Sequence, residues 1–202
     1  MKPVLILCLL VVGLSACDST IDSIDVGVPD PYLVGNYWVH ERVDLNDDGT
    51  VKTRAEDSSA VVERGKDGGF DLITFNDNAL YWKDSSGIAI DNCVLLFKYP
   101  AEPKDTMFKR GLVMVSVGGA TYPGEIITFV EALRIPVTVP AGTFITNKYH
   151  LQVVADNGLI CSDWIFYFTP GVGVIKEEHY RGTSTNELVL TGIVELLRYR
   201  IR

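Results

Sequence analysis

The sequence predicts an all-β protein built on one strongly curved antiparallel sheet, a half-open or closed meander barrel. Three observations predict it. Short runs alternate apolar and polar residues with period two. The breaks between them are made of Gly, Asn, Asp and Pro at hairpin-like spacing. No stretch of ten residues carries an amphipathic helical period, and the best helical candidate, Ile126 to Leu133, is rich in the β-branched residues Ile126, Ile127, Thr128 and Val130, which favour a strand. A sheet of many short strands must curl or close to hide its edges.

The chain has 202 residues, 47% hydrophobic and 22% charged, enough apolar material for the core of one domain. It opens with Lys2 and the apolar run Val4 to Val12, too short for a permanent transmembrane helix and closed by small residues, as in an export signal. Residues 18 to 34 are acidic and polar with two prolines and no helical period, which reads as a flexible tether. The predicted domains are therefore a leader over 1–16, a tether over 17–34, and a single barrel-like domain over 35–202.

Within that domain Tyr37, Val39, Val43 and Leu45 alternate with Trp38, His40, Arg42 and Asp44, and Asn46-Asp47-Asp48-Gly49 turns the chain. Strands follow at Ala60 to Glu63, Phe70 to Phe75, Ala79 to Trp82 and Cys93 to Tyr99, each bounded by turn residues. Met107 to Val117 and Ile126 to Ile135 read as longer strands joined through Gly118-Gly119 and Tyr122-Pro123-Gly124; the strand order across 84–124 is left open. Pro140-Ala141-Gly142 is a turn, because proline fixes φ and glycine permits the reversal. In the next strand Ile145, Tyr149, Leu151 and Val153 form a dry face, while Thr146, Lys148, His150 and Gln152 form a wet one, so His150 is expected to be exposed. After the hairpin turn Asp156-Asn157-Gly158, a strand is apolar on both sides: Ile160, Trp164, Phe166 and Phe168 on one, Leu159, Cys161, Ile165 and Tyr167 on the other. Such a strand needs cover on both faces. Trp164, Phe166 and Phe168 should point into the concavity, where they are candidates to line a ligand pocket. Pro170-Gly171-Val172-Gly173 reads as a sheet bend or bulge, and Arg198 to Arg202 as a final strand whose charges guard an edge.

Chemical motifs are sparse. Asp44-x-Asn46-x-Asp48-Gly49 matches the first half of an EF-hand calcium loop, but the twelfth position is Ala55, with Glu56 one residue late. A hairpin turn is the preferred reading, with Asp44, Asn46 and Asp48 kept as metal candidates. His40, His150 and His179 are not at ligand spacing. Glu177-Glu178 should point to opposite faces of a strand. No nucleophile elbow, phosphate loop or dinucleotide fingerprint appears. The expectation is a protein that is not an enzyme and needs no cofactor.

Leu14-Ser15-Ala16-Cys17 resembles the lipobox of bacterial lipoproteins. The resemblance implies cleavage after Ala16 and acylation of the Cys17 thiol, a lipoprotein signal peptide over 1–16, and attachment to the membrane through an N-terminal lipid anchor. Cleavage removes Lys2 and no acid, leaving 17 basic against 26 acidic side chains. That balance argues against nucleic acid as a partner and against adsorption to anionic lipid by charge, so the acyl chains must hold the domain. Cys8 leaves with the leader, so Cys93 and Cys161 remain as a candidate disulfide pair in an oxidising compartment, with two separate core thiols as the alternative. A bridge would close a loop of about 70 residues and stabilise by about 4 kcal/mol on the chain-entropy account.

The order V-P-A-G-T-F (139–144), W-x-F-x-x-x-P-G-V-G-x-x-K from Trp164 to Lys176, then Glu187-Leu188, together with Gly35-Asn36-Tyr37-Trp38-Val39, resembles a group of uncharacterised bacterial envelope lipoproteins. Their curved antiparallel sheet forms a half-open barrel, similar in architecture to lipoprotein carriers and receptors. The resemblance implies a non-catalytic binding or carrier module for an apolar, acyl-type ligand, or alternatively a scaffold with a self-filled core that contacts other envelope proteins. It places the protein in the cell envelope, at the outer membrane in preference to the inner, although Asp18 resembles an inner-membrane retention signal.

Overall fold

A computed structural model describes residues 33–64, 70–74, 78–84, 87–90, 94–98, 101–117 and 120–202. The leader, Cys17, all but the last two tether residues, and Cys93 lie outside the described residues. Twelve strands are described: β1 (Tyr37–Leu45), β2 (Val51–Arg64), β3 (Phe70–Thr74), β4 (Asn78–Asp84), β5 (Gly87–Ile90), β6 (Val94–Lys98), β7 (Thr106–Val117), β8 (Ala120–Val139), β9 (Gly142–Ala155), β10 (Ile160–Thr169), β11 (Gly173–Gly182) and β12 (Leu188–Arg200). They form one antiparallel sheet in the order β6-β5-β4-β3-β2-β1-β12-β11-β10-β9-β8-β7. The protein is all-β, as the alternation predicts. Each strand pairs with its sequence neighbour, the first pairs with the last, and the sheet is open between β6 and β7.

Long-range ring contacts measure the curl. Phe97 on edge strand β6 stacks on Phe168 of β10 with ring centroids 4.6 Å apart, although β10 is eight strands away in the sheet order. In a flat sheet that separation would be about 38 Å, at roughly 4.8 Å per strand. The sheet therefore wraps so that its edge meets its far half, and the enclosed face is the one bearing Phe97 and Phe168. Trp38, Val61, Phe97, Val130, Tyr149, Phe166, Phe168, Ile175 and Leu196 form the core on that face. Phe97 also meets Tyr149 and Phe166 edge to face, at 5.2 and 5.5 Å, the geometry that the ring quadrupoles favour.

Residues at the start of β1 and after β12 fasten one end of this core. The Asn36 side chain accepts from the Arg202 backbone N–H, and the Trp38 indole donates to the Val172 carbonyl at 2.6 Å. Ala141, in the β8–β9 turn, donates its N–H to Leu196 of β12, bridging the curl.

Several strand assignments differ from the sequence reading. Tyr122-Pro123-Gly124 is no connection but lies inside the 20-residue β8. Pro123 is tolerated because the β9 ladder begins only at Gly124, and Pro136 because the β7 ladder has ended at Phe129. Each proline thus has a partner strand on one side only, and a missing N–H that faces the open side costs no ladder bond. Pro170-Gly171-Val172 is a tight hairpin loop between β10 and β11, closed by Val172 N–H to Thr169 O at 3.0 Å, with Gly171 at φ +82°; it reverses the chain rather than bending it. The basic C-terminal run is no edge, since β12 lies between β1 and β11.

Faces also differ. On β1 the side carrying Trp38 turns into the concavity and Tyr37 is exposed, so His40, Arg42 and Asp44 share the inner face. On β9 Ile145 is exposed while Thr146 is buried. A bulge on the facing stretch of β8 explains this. Arg134 has φ +59°, the register slips between Ala132 and Ile135, and Asn147 and Thr146 turn in to hydrogen-bond the backbone of Arg134 and Ile135.

Candidate functional site

The inner face divides into a packed part and an accessible part. Trp164, Phe166 and Phe168 do share it, as the alternation along β10 requires. Phe166 and Phe168 are buried in the ring cluster closed by Phe97, whereas Trp164 is 43% exposed. The registers say what surrounds Trp164. It lies opposite Leu151 on β9 and His179 on β11. His179 lies opposite Gly192 on β12, and Gly192 opposite Asp44 on β1. The next row toward the core runs from Phe166 through Glu177 and Val194 to Arg42.

These residues form connected pairs. The Trp164 and His179 rings lie nearly parallel, 28° apart with centroids at 5.4 Å. The His179 imidazole bonds Glu177 at 2.9 Å. Arg42 pairs with Asp57 at 3.2 Å and Asp44 at 3.7 Å, and Thr53 donates to Asp44 at 2.6 Å. Deeper on the same face, the His40 ring N–H donates to the Val174 carbonyl at 3.2 Å. Burial lowers the His40 pKa, outweighing that hydrogen bond and the charges of Glu177 and Asp57, which raise it. Glu177 and Glu178 point to opposite faces: Glu178 pairs with Lys176 at 3.0 Å and accepts from Tyr180.

Of the metal candidates, Asn46 and Asp48 belong to the β1–β2 hairpin turn and Asp44 to the end of β1. Asp48 Oδ1 accepts from both the N–H and the hydroxyl of Thr50, at 2.9 and 2.6 Å. Asn46 donates to the same hydroxyl, and Asp44 is held by Thr53 and Arg42. The hydrogen bonds from Thr50 lower the Asp48 pKa. These oxygens serve the turn, and Gly49 at φ +79° lets it close. Of the candidate disulfide pair, Cys161 is half-buried on β10; its partner position is not described.

His150 is the residue whose surroundings sequence reasoning missed. It is not exposed but 7% accessible. Its Nδ1 lies 2.9 and 3.0 Å from the two oxygens of buried Asp163, and its Nε2 meets Glu131. Gln152 donates to Asp163 at 2.8 Å, Phe129 stacks on the ring at 4.6 Å, and Lys148 pairs with Glu131 at 2.8 Å. Burial alone would lower the His150 pKa, but Asp163 and Glu131 together raise it. The cluster joins β8, β9 and β10 on the face opposite the aromatic core. Beside it Tyr167 sits between the ammonium groups of Lys148 and Lys176, and burial followed by the Glu178 charge pushes its pKa up to about 12.

No family model matches the chain, and no curated protein matches it. Among solved structures it is similar to a provisionally named exported protein with a YmcC-like fold from Bacteroides fragilis NCTC 9343, at 13% identity and a TM-score of 0.45, over 86% of this chain and 99% of that one. A provisionally named lipoprotein from Parabacteroides distasonis ATCC 8503 gives 16% identity and 0.46 over 84% and 97%. The hypothetical lipoprotein YmcC from Escherichia coli K12 gives 9% and 0.40 over 80% and 84%.

Proposed function

We propose that this is a lipid-anchored, non-catalytic binding protein of the bacterial envelope, at the outer membrane in preference to the inner, which takes its ligand at the Trp164 end of the concave face. The anchor rests on Lys2, the apolar run and Leu14-Ser15-Ala16-Cys17. The site rests on one contrast: of three aromatics on one face of β10, Phe166 and Phe168 are buried and Trp164 is open. An exposed tryptophan inside a curved sheet, with apolar Leu151 on one side and charged pairs on the other, suits an amphipathic ligand. An acyl chain seated among Phe166 and Phe168 would meet space that Phe97 already fills.

Native mass spectrometry of the full-length lipoprotein in detergent micelles tests the reading. Wild type should carry a ligand that Trp164→Ala releases, while Phe166→Leu retains it. The scaffold reading is favoured by the same Phe97 packing, because a self-filled core needs no ligand. It takes over if wild type and Trp164→Ala are equally empty and bind no added ligand differently.

A further inference from the structure

We propose that the Trp164 end of the concave face binds a saccharide; this deepens the reading of that end as the binding site. Trp164 is 43% exposed, and its ring is braced on one side by the stacked imidazole of His179, 5.4 Å away between centroids. His179 in turn packs over the bare backbone of Gly192, where a Cβ would stand 3.6 Å from its ring. The exposed part of an indole held rigid in this way matches the C–H face of a pyranose ring.

The polar border decides against the other ligands a tryptophan could take. Arg42, Asp44 and Glu177 are each a quarter to two-fifths exposed, and each already has an ionic or hydrogen-bonded partner. They offer donors and acceptors side by side, which hydroxyl groups can engage while the pairs persist. A bare acyl chain would strip water from these ions and return nothing for it. An anionic headgroup would face three carboxylates, Asp44, Asp57 and Glu177, against the guanidinium of Arg42. Trp164 and Asp44 are three strand spacings apart along the sheet, at most about 14 Å, so the polar border lies within reach of a ligand seated on the indole.

Placement agrees. The chain enters β1 at Tyr37, beside the packed end, and Asp44 lies seven residues farther along the strand, about 24 Å at 3.4 Å per residue. With the anchor at the N-terminus, the open end is remote from the point of tethering, accessible to a polymer beyond the membrane surface.

The test uses the full-length protein in detergent micelles on an array of neutral, amine-bearing and acidic saccharides, with a fluorescent palmitate analogue as the rival probe. Wild type should bind a subset of neutral or amine-bearing glycans. Trp164→Ala should weaken that binding tenfold or more, Trp164→Phe less, and Phe166→Leu hardly at all, with near-ultraviolet circular dichroism confirming the fold of each variant. Failure of wild type to bind any saccharide better than Trp164→Ala overturns the proposal. If the palmitate analogue then binds in a Trp164-dependent way, the site stands and only its ligand class falls. If it does not, both fall together.

Discussion

His150 and Asp163 sit on adjacent strands with the imidazole Nδ1 within 3.0 Å of both carboxylate oxygens, and the opposite ring nitrogen meets Glu131. An imidazole facing a carboxylate at each nitrogen satisfies both only as the cation, when both nitrogens donate. Its pKa is raised in the fold, so the native state holds the proton more tightly than the unfolded chain. Stability from this group is full below about pH 6.5 and is lost as the pH rises through the raised value. His40 has the opposite sign: burial lowers its pKa, so its contribution is full above about 6.5 and declines as the pH falls toward the lowered value. Denaturant melts across pH should show wild type losing stability above 6.5 and His150→Gln losing that alkaline slope. A variant with the slope unchanged would mean that the two carboxylates do not hold the proton.

Removing the imidazole altogether leaves Asp163, 3% accessible, without its cationic partner. Breaking a buried pair from one side costs about 3–5 kcal/mol. His150→Ala should therefore lower stability by about that amount near neutral pH, and adding Asp163→Asn should recover part of it. Equilibrium urea unfolding of the two variants checks the prediction; no recovery in the double variant would assign the loss to packing against Phe129 instead.

Membrane attachment makes a separate prediction. Cys17→Ala should leave the leader uncut or miscut and move the processed protein out of the membrane fraction, because the thiol that takes the acyl chain is gone. Metabolic labelling with a tagged fatty acid, followed by fractionation, reads both effects. Equal label in wild type and variant would remove the anchor.

Much of the fold was readable because it is local. A turn such as Asp156-Asn157-Gly158 announces itself through residues that accept positive φ, and Gly158 has φ +85°. Strand length was less readable. Pro123 and Pro136 look like terminators until one knows that β8 leaves β7 and joins β9 between them. The inner face of β1 was hidden by its own chemistry, since His40, Arg42 and Asp44 carry the polar pattern of a solvent face while lining the concavity. His150 shows the limit most plainly. Alternation put it with Lys148 and Gln152, which is correct, but only the β9–β10 register sets Asp163 beside it, and no pattern within one strand encodes register. The candidate site was half legible for the same reason. Trp164 stands out in β10, while His179 and Arg42 become its neighbours only through pairings across the sheet.

The last prediction separates core from site along one strand. Phe166 and Trp164 are two residues apart on the same face of β10, yet Phe166 is 7% accessible and Trp164 is 43%. Phe166 touches Phe97 edge to face and lies opposite Tyr149, so truncation leaves a cavity among large rings that cannot collapse without moving an edge strand. Phe166→Ala should lower stability by about 3–5 kcal/mol, and Phe97→Ala by a similar amount, because each removes one ring of a single cluster. The double variant should then lose less than the sum, as expected for residues in contact. Trp164→Ala forfeits little more than its contacts with His179 and Leu151 and should cost about 1 kcal/mol, within the ordinary range for a part-exposed side chain. Urea melts of the four variants beside wild type give the comparison directly. A Trp164→Ala loss as large as that of Phe166→Ala would make Trp164 a core residue and remove the physical basis for placing a binding site on it.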